Sequence, residues 1–351
     1  MTDSAPSPRQ GMSFARKIQI LAGVVVLVLA LATGAWFAGA AVYQAALDEG
    51  RRGLAAEGVT LACDGEELGG FPARFEWRCD RLGLTFANGA RLEGEALTTV
   101  AMVWNPFFTI AEWQGPFAGQ SADGFATSVD SALLRASVRL TGGLSDGMRV
   151  QRLSAVLDPF GVRVDGAQQP IATGRQAEFH LREPVAADGS VDPAGLQAAL
   201  VLLGLESLFL GGVDQIDMSI TGLIDELAAV RARSLGGALR DWVGRSGTVE
   251  GLETRLRLDD HAINLDGDLQ LATDGALTFD GAIATNDVPA LVELMGIDAG
   301  GSASAITAGA SFFGRQTTIG EDPATELPLV VQRGRVQIGP VLLGQLPPIR
   351  F

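Results

Sequence analysis

The two cysteines of the chain, Cys63 and Cys79, are the side chains whose type and spacing most directly indicate a chemical role. In an exported domain two cysteines most often pair as a disulfide, because the compartment outside the cytoplasm is oxidising. Closing the short loop between them would stabilise the fold by about 3 kcal/mol on the chain-entropy account. Each cysteine ends an alternating apolar pattern typical of a strand, and the segment between them contains Gly69-Gly70 and Pro72. We therefore predict two strands joined by a turn and bridged by a disulfide.

Metal binding and catalysis are the competing roles for reactive side chains. The two histidines, His180 and His261, lie far apart and follow no ligand spacing, so a metal site is not expected. No lysine follows Lys17, and no C-x-x-C, H-E-x-x-H or G-x-G-x-x-G motif occurs. A serine–histidine pair stays open as a catalytic alternative. Adjacent carboxylates fall in turn-like contexts typical of solvated side chains, namely Glu66-Glu67, Asp259-Asp260 and Glu321-Asp322. We therefore expect no catalytic, cofactor-binding or metal-binding residues, and no enzyme.

The charge balance limits which partners the chain can have. The net charge is −15, with the first 17 residues at +2 and the remainder at −17. Nucleic acid requires a basic face, so nucleic-acid binding is not expected. The acidic balance also disfavours attraction of the whole domain to anionic lipid. The 45 glycines and the alternating apolar residues indicate many strands joined by tight turns.

An uncharged apolar run over residues 18–42 predicts one transmembrane helix. About 20 helical residues cross a hydrocarbon core of ~30 Å, so the run is long enough to span with some tilt. Arg16 and Lys17 flank its start, and the positive-inside rule then places residues 1–17 in the cytoplasm. A cleaved signal peptide is the rival interpretation, because Ala38-Gly39-Ala40 resembles a cleavage site. Signal peptides, however, usually carry an apolar run of only about 7–15 residues.

The rest of the chain is expected on the far side of that membrane. We predict a single-pass protein of a bacterial inner membrane, with residues 43–58 forming a stalk helix and residues 59–351 a periplasmic β-rich domain. Gly50 and Gly53 weaken the stalk helix, so we expect it to stand free rather than to pack against the domain.

A short motif follows the predicted anchor and lies between the two cysteines. It consists of Gly70, Phe71, Pro72, Arg74 and Phe75 within the segment L-G-G-F-P-A-R-F-E-W-R-C. A G-[FY]-P-x-R-[FI] segment at this place resembles the DUF2125 proteins, an uncharacterised group common in alphaproteobacteria. The chain departs from the usual family pattern at Ala73, where phenylalanine is more frequent. The resemblance implies a membrane-anchored bacterial protein and assigns no activity.

Period-2 alternation predicts a β-meander over residues 249–284, with a hairpin turn at Asp274-Gly275. A short helix is expected next, with Asp287 as its N-cap and Gly296 at its end. A last hairpin is predicted to turn at Arg333-Gly334.

The middle of the chain divides into two predicted parts. Residues 91–182 are expected to be rich in strands, and residues 193–245 to be helical or mixed. The apolar run 193–211 is predicted to be a buried helix rather than a second membrane span, because Glu206 interrupts it.

The order of the C-terminal elements resembles AsmA-like envelope proteins over residues 240–351. The matching segments are Gly267–Leu271, the Asp274-Gly275 turn and Gly334–Val341. This resemblance implies a large, curved antiparallel sheet with an apolar groove and an association with lipid movement. The expected fold class is therefore mainly β (α+β), a transmembrane helix followed by this sheet and a few short helices. From patterning alone, an ordinary closed β core is the alternative.

Two functions follow as hypotheses. In the first, the domain binds or moves lipid, with acyl chains as the ligand of its apolar face. In the second, it is a non-catalytic periplasmic scaffold for other envelope proteins. The inner membrane, reached through residues 18–42, is the expected partner in both, no protein partner is indicated, and no cofactor is expected.

Overall fold

One long helix opens the described part of the chain. The computed structural model describes residues 14–143, 147–185, 195–207, 215–225, 241–245, 247–294 and 301–349. Helix α1, Phe14–Ala56, is long and apolar enough to cross a membrane. Its residues 14–35 are exposed except for the half-buried Thr33, a length of about 33 Å at 1.5 Å per residue. The apolar run therefore forms a helix with exposed apolar side chains, as a bilayer-spanning segment requires.

The strands after α1 form two rows of antiparallel pairs. The short row contains β1 Thr60–Asp64, β4 Arg81–Thr85, β5 Arg91–Gly94, β8 Phe117–Gln120, β9 Ala126–Asp130, β12 Phe160–Val164 and β13 Ala172–Gly174, paired in that order. The long row begins with β2 Glu67–Gly69, β3 Arg74–Cys79, β6 Leu97–Met102, β7 Asn105–Gln114, β10 Leu133–Gly143, β11 Gly147–Leu157, β14 Gln176–Arg182 and β15 Leu196–Ser207. It continues with β16 Ile216–Ile224, β17 Thr248–Leu258, β18 His261–Leu271, β19 Leu277–Thr285, β21 Asp322–Gln332, β22 Arg335–Ile338 and β23 Val341–Gln345, while β20 Arg315–Ile319 pairs with β21.

The two rows are one sheet folded along a line. The chain passes between the rows through breaks of one or two residues, such as Asp80 between β3 and β4 and Gly115-Pro116 between β7 and β8. Hydrogen bonding continues across the break, since the Asp80 N–H donates to the carbonyl of Asp64 at 2.8 Å. Strand β15 pairs with both β13 and β14. Its bulge contains Gly204 at φ 61°, a conformation that glycine adopts at little cost.

Two helices and two hairpins complete the C-terminal part. Helices α2, Val288–Leu294, and α3, Gly301–Phe313, lie between β19 and β20. Asp287 is the predicted N-cap of α2, confirmed by its Oδ1 accepting from the Ala290 N–H at 3.0 Å. The predicted turns at Asp274-Gly275 and Arg333-Gly334 are also confirmed, with positive φ at both glycines. Gly296, the predicted end of α2, lies outside the described residues.

Two local predictions are wrong. The run 193–211 was predicted as a buried helix, but its described part is strand β15, which pairs with β14 and β16 on its two sides. The predicted turn between the cysteines contains strand β2, and β1 pairs with β4 rather than with β3. In both cases pairing with distant strands overrides the local signal. The rest of the range 193–245, predicted to be helical or mixed, contains strand β16 and the helical residues 241–244, while residues 208–214 and 226–240 lie outside the described residues.

Candidate functional site

The long row of strands has one apolar and one polar face. Directly paired residues lie on the same face of a sheet, so the strand register shows which residues share a face. One row of paired residues runs Trp77, Thr99, Ala111, Ala136, Ala155, Phe179, Leu200, Ile220, Thr254, Leu265, Ile283, Leu327. The neighbouring row runs Glu76, Val100, Ile110, Ser137, Ser154, His180, Ala199, Thr221, Glu253, Asp266, Ala282, Pro328. We call the first surface the apolar face and the second the polar face.

The first strands of the short row turn apolar side chains toward the apolar face. The disulfide between Cys63 of β1 and Cys79 of β3 joins the two rows directly, with the Cα atoms 5.6 Å apart. The predicted disulfide is therefore confirmed, although it connects two rows of the sheet rather than two paired strands. Farther along the fold line, the rings of Trp113 and Phe117 meet edge to face at 5.0 Å. At these strands the apolar face thus lies on the inside of the folded sheet.

Helices cover the apolar face at its two ends. At the first end Tyr43 and Leu47 of α1 pack on the cluster of Trp77, Cys79 and Leu82. At the last end, α2 and α3 contribute to a larger cluster with the sheet, whose buried members are Ile216, Leu258, Ile263, Ile283, Leu291, Val292, Ile306, Ala310, Leu327 and Ile338. These two clusters are closed cores of the ordinary kind.

Between these two ends the apolar face is not buried. Among the described residues from 118 to 207, no apolar side chain falls in the buried class, although strands β9 to β15 lie in this stretch. Phe179, in the middle of the apolar row, is 38% exposed. Alternating apolar residues on neighbouring strands normally bury their shared face against another layer. The described part of this fold therefore leaves a strip of half-exposed apolar side chains between two closed cores.

The second half of α1 is a packed element, which contradicts the prediction of a free stalk. Trp36 is 7% exposed and donates from its indole N–H to the carbonyl of Arg74 at 2.9 Å. The Tyr43 hydroxyl lies 3.1 Å from Thr99 Oγ1. A β-carbon on Gly39 would lie 2.6 Å from the Phe75 ring, so the close approach of helix and sheet depends on glycine at this position. The predicted helicity of residues 43–56 is confirmed.

Glu66 fixes the far end of this docked segment. Its carboxylate accepts from Arg51 Nη2 at 2.6 Å and from Trp77 Nε1 at 2.8 Å. The hydrogen bond from Arg51 lowers the pKa of Glu66 below its ordinary value, and the bond from Trp77 adds to the effect. Glu66 is exposed, as predicted for a turn carboxylate, but it also holds two side-chain hydrogen bonds that the sequence did not indicate.

The Gly-Phe-Pro motif forms the loop between β2 and β3, beside Trp36. Gly70 has φ 96° and its carbonyl accepts from the Arg74 N–H at 3.1 Å. Phe75 is buried, whereas Phe71 is 53% exposed and its ring lies 5.6 Å from that of Trp36. One end of the motif therefore packs in the core and the other presents an aromatic ring to the surroundings.

Exposed aromatic side chains gather where α1 changes from exposed to packed. The β6–β7 turn lies next to the motif loop, because the Val103 N–H donates to the carbonyl of Ala73 at 3.1 Å. We call Phe37, Phe71, Trp104 and Phe107 the aromatic margin, with 62%, 53%, 73% and 46% exposure. Aromatic rings favour the interface between bilayer and water. Phe71 was identified in the sequence as part of the motif, whereas Trp104 and Phe107 were missed, because only the strand pairing brings them to this place.

The histidines lie on the sheet beside carboxylates. His180 Nε2 is 2.7 Å from Glu178 Oε2, and Ser154 is paired directly across from His180. The Ser154 hydroxyl and His180 Nδ1 nevertheless have no hydrogen-bond partner in the described residues, so the structure forms no serine–histidine bond there. His261 Nδ1 lies 3.5 Å from Asp287 Oδ2. The described residues contain no group of three His, Cys, Asp or Glu side chains that could hold a metal ion.

One serine motif was overlooked in the sequence. Residues 143–147 read G-L-S-D-G and fit the G-x-S-x-G pattern. That pattern marks a nucleophile when it forms a sharp turn from a strand into a helix. Here it joins two antiparallel strands, since Gly143 of β10 pairs with Gly147 of β11. The surrounding elements therefore do not match a nucleophile elbow, and residues 144–146 lie outside the described residues.

Comparison with protein families gives one match, and it covers most of the chain. The model of DUF2125, described as an uncharacterized protein conserved in bacteria, matches residues 36–347. Comparison with curated proteins and with solved structures gives no match. The matched region begins at Trp36, the first buried residue of α1, and includes the motif loop, the disulfide and both rows of the sheet. The chain belongs to the DUF2125 family.

Proposed function

We propose that this protein is a single-pass protein of a bacterial inner membrane whose periplasmic β domain binds lipid acyl chains without catalysing a reaction. The observation that carries the proposal is the half-exposed strip of the apolar face between two closed cores. A contiguous apolar surface of this kind marks a binding site for an apolar partner.

The dimensions of the strip suit a hydrocarbon chain. The four neighbouring strands of the long row in this stretch, β10, β11, β14 and β15, cover about 14 Å at 4.7–4.9 Å per strand, against about 15 Å of hydrocarbon depth in one leaflet. Side chains from four strands can therefore contact most of an acyl chain that lies across them. The resemblance of the C-terminal part to AsmA-like envelope proteins agrees with lipid binding, and we propose it together with that function.

The position of the anchor supports the same proposal. Residues 18–35 of α1 would lie in the bilayer, and the packed segment from Trp36 onward would hold the domain directly against the membrane surface. Arg16 and Lys17 favour a cytoplasmic N-terminus, and the Cys63–Cys79 disulfide suits the oxidising periplasm. A lipid source would then adjoin the apolar face.

Two adjacent substitutions on β15 test the proposal. Leu200 lies on the apolar face, paired with Phe179 and Ile220, whereas Val201 lies on the polar face of the same strand. Both are half-buried, so Val201→Gln is a matched control for Leu200→Gln. We expect lipid extraction and mass spectrometry of the purified full-length protein to find phospholipid or fatty acid with the wild type and Val201→Gln, and several-fold less with Leu200→Gln.

Two outcomes would overturn lipid binding. Wild-type protein free of lipid would contradict it, and so would equal lipid content in the two variants. A stoichiometric protein partner crosslinked to lipid-free protein would instead support the scaffold hypothesis.

A further inference from the structure

Three arginines lie side by side on the polar face, one on each of three neighbouring strands. Arg139 of β10 pairs directly with Arg152 of β11, and Arg152 pairs directly with Arg182 of β14. Directly opposed residues have Cβ atoms about 4.5–5.5 Å apart, and like charges in this position destabilise a sheet. Elsewhere on the same face arginine has a partner, as Arg135 has in Asp158 at 2.9 Å. None of the three forms an ion pair with a carboxylate of the described residues.

The three arginines line a cavity of about 530 Å³, together with Phe108, Ser137 and Glu183. The guanidinium of Arg139 lies over the Phe108 ring, 5.3 Å from its centre. Arg182 donates from Nε to Gln197 Oε1 at 2.7 Å. These contacts orient two of the three side chains and leave their terminal amino groups as donors. Among the described lining residues, three arginines face one carboxylate, that of Glu183, so these residues together carry an excess of positive charge in a chain whose net charge is −15.

We propose that this cavity is a binding site for a phosphate group. A guanidinium presents several N–H donors in a planar fork that matches two phosphate oxygens, and three such forks suit a group with several oxygens. The bound anion would also offset the repulsion between the opposed arginines. Ser154 lies two residues from Arg152 on the same face of β11. Its hydroxyl is buried without a hydrogen-bond partner in the described residues, and burial in that state is costly. The phosphate can come from a lipid headgroup or from a soluble phosphate.

The site is independent of lipid binding on the apolar face, because its side chains lie on the opposite face of the sheet. The test uses full-length protein in dodecyl maltoside micelles and follows the thermal unfolding midpoint with increasing inorganic phosphate. A ligand that binds the folded state raises this midpoint as its concentration rises. Chloride at matched ionic strength measures the effect of salt alone.

The double variant Arg139→Gln/Arg152→Gln removes two of the three guanidiniums. We expect its phosphate affinity to fall by at least about tenfold, because it loses charge-assisted hydrogen bonds. Arg135→Gln/Arg163→Gln is the matched control, since it makes the same change of charge at two ion-paired arginines of the sheet. The control is expected to keep the phosphate-dependent shift of the wild type.

The source of the phosphate is decided by a second arm in nanodiscs. If discs containing phosphatidic acid raise the midpoint of the wild type but not of the double variant, relative to phosphatidylcholine discs, the site binds a lipid headgroup. A response to inorganic phosphate alone assigns it to a soluble ligand. Equal responses of wild type and double variant in both arms, or a shift that chloride reproduces, would overturn the proposal.

Discussion

Substitution of Trp36 by alanine is expected to release the second half of α1 from the β domain. The Trp36 ring packs near Phe71 and Phe75, with ring centres 5.6 and 6.1 Å away, and its indole donates to the carbonyl of Arg74. Truncation of a buried aromatic side chain to alanine costs about 3–5 kcal/mol. The higher helix propensity of alanine returns less than about 1 kcal/mol. The docking of residues 36–51 should therefore weaken by about 3 kcal/mol.

Tryptic cleavage after Arg51 or Arg52 measures this docking. Cleavage requires local opening of the helix, so its rate follows the free energy of opening when closing is fast. A loss of about 3 kcal/mol corresponds to roughly a hundredfold faster separation of the anchor from the domain, at tenfold per 1.4 kcal/mol. The assay uses full-length protein in nanodiscs and identifies the product by its new N-terminus.

Phe37→Ala is the control, because Phe37 is the neighbouring aromatic residue and is 62% exposed. Its edge-to-face contact with Trp36 at 5.1 Å is worth about 0.5–1.5 kcal/mol, so its cleavage should accelerate by about tenfold at most. Equal cleavage rates for wild type and Trp36→Ala would refute the conclusion that this half of α1 is docked.

Three further perturbations test other parts of the molecule. The double substitution Cys63→Ser/Cys79→Ser should lower the free energy of unfolding by about 3 kcal/mol in chemical denaturation, and an unchanged midpoint would exclude a stabilising role for the disulfide. In vesicles, an environment-sensitive dye on Trp104→Cys should be quenched by brominated lipid, whereas the same dye on Phe125→Cys, an exposed aromatic position in the β8–β9 turn, should not. Similar quenching at both positions would contradict the placement of the aromatic margin at the membrane surface. Burial raises the pKa of Asp266 above its ordinary 3.8, so the ionised side chain destabilises the fold increasingly as pH rises above that value. Asp266→Asn should therefore raise the unfolding midpoint above that of the wild type at pH 7, and the difference should disappear as pH falls to 3.8. A difference in midpoint that does not change with pH would contradict the raised pKa of Asp266.

Features of the fold that depend on neighbouring residues could be predicted from the sequence. The turn at Arg333-Gly334 has positive φ at both positions, and glycine readily supplies the second of them. Asp287 caps its helix through a hydrogen bond to a residue three positions on. The anchor follows from the length and apolarity of one run. In each case the deciding interaction spans only a few residues.

Features that depend on distant pairing could not be predicted in the same way. Strand β15 has apolar residues on both of its faces, such as Leu200 and Val201, so it shows no period-2 alternation and a buried helix fitted equally well. The Cys63–Cys79 bond was predicted, but the pairing of β1 with β4 was not. No local sequence signal marks where the chain passes from one row of strands to the other. Trp104 and Phe107 likewise join Phe71 only through the pairing of β3 with β6.

The two halves of α1 obey different physical requirements, and this explains where the family match begins. A bilayer would require the exposed residues 18–35 to be apolar and helical, and many sequences of that composition would satisfy this requirement equally. From Trp36 onward the helix must fit the sheet, with Gly39 against Phe75 and an indole N–H aimed at a carbonyl. Such contacts restrict residue identity at single positions, and the family match starts at this residue. The part of the chain that the family shares therefore includes the docked half of the helix, and in the lipid-binding proposal this packing, rather than a flexible stalk, would set the orientation of the domain against the membrane.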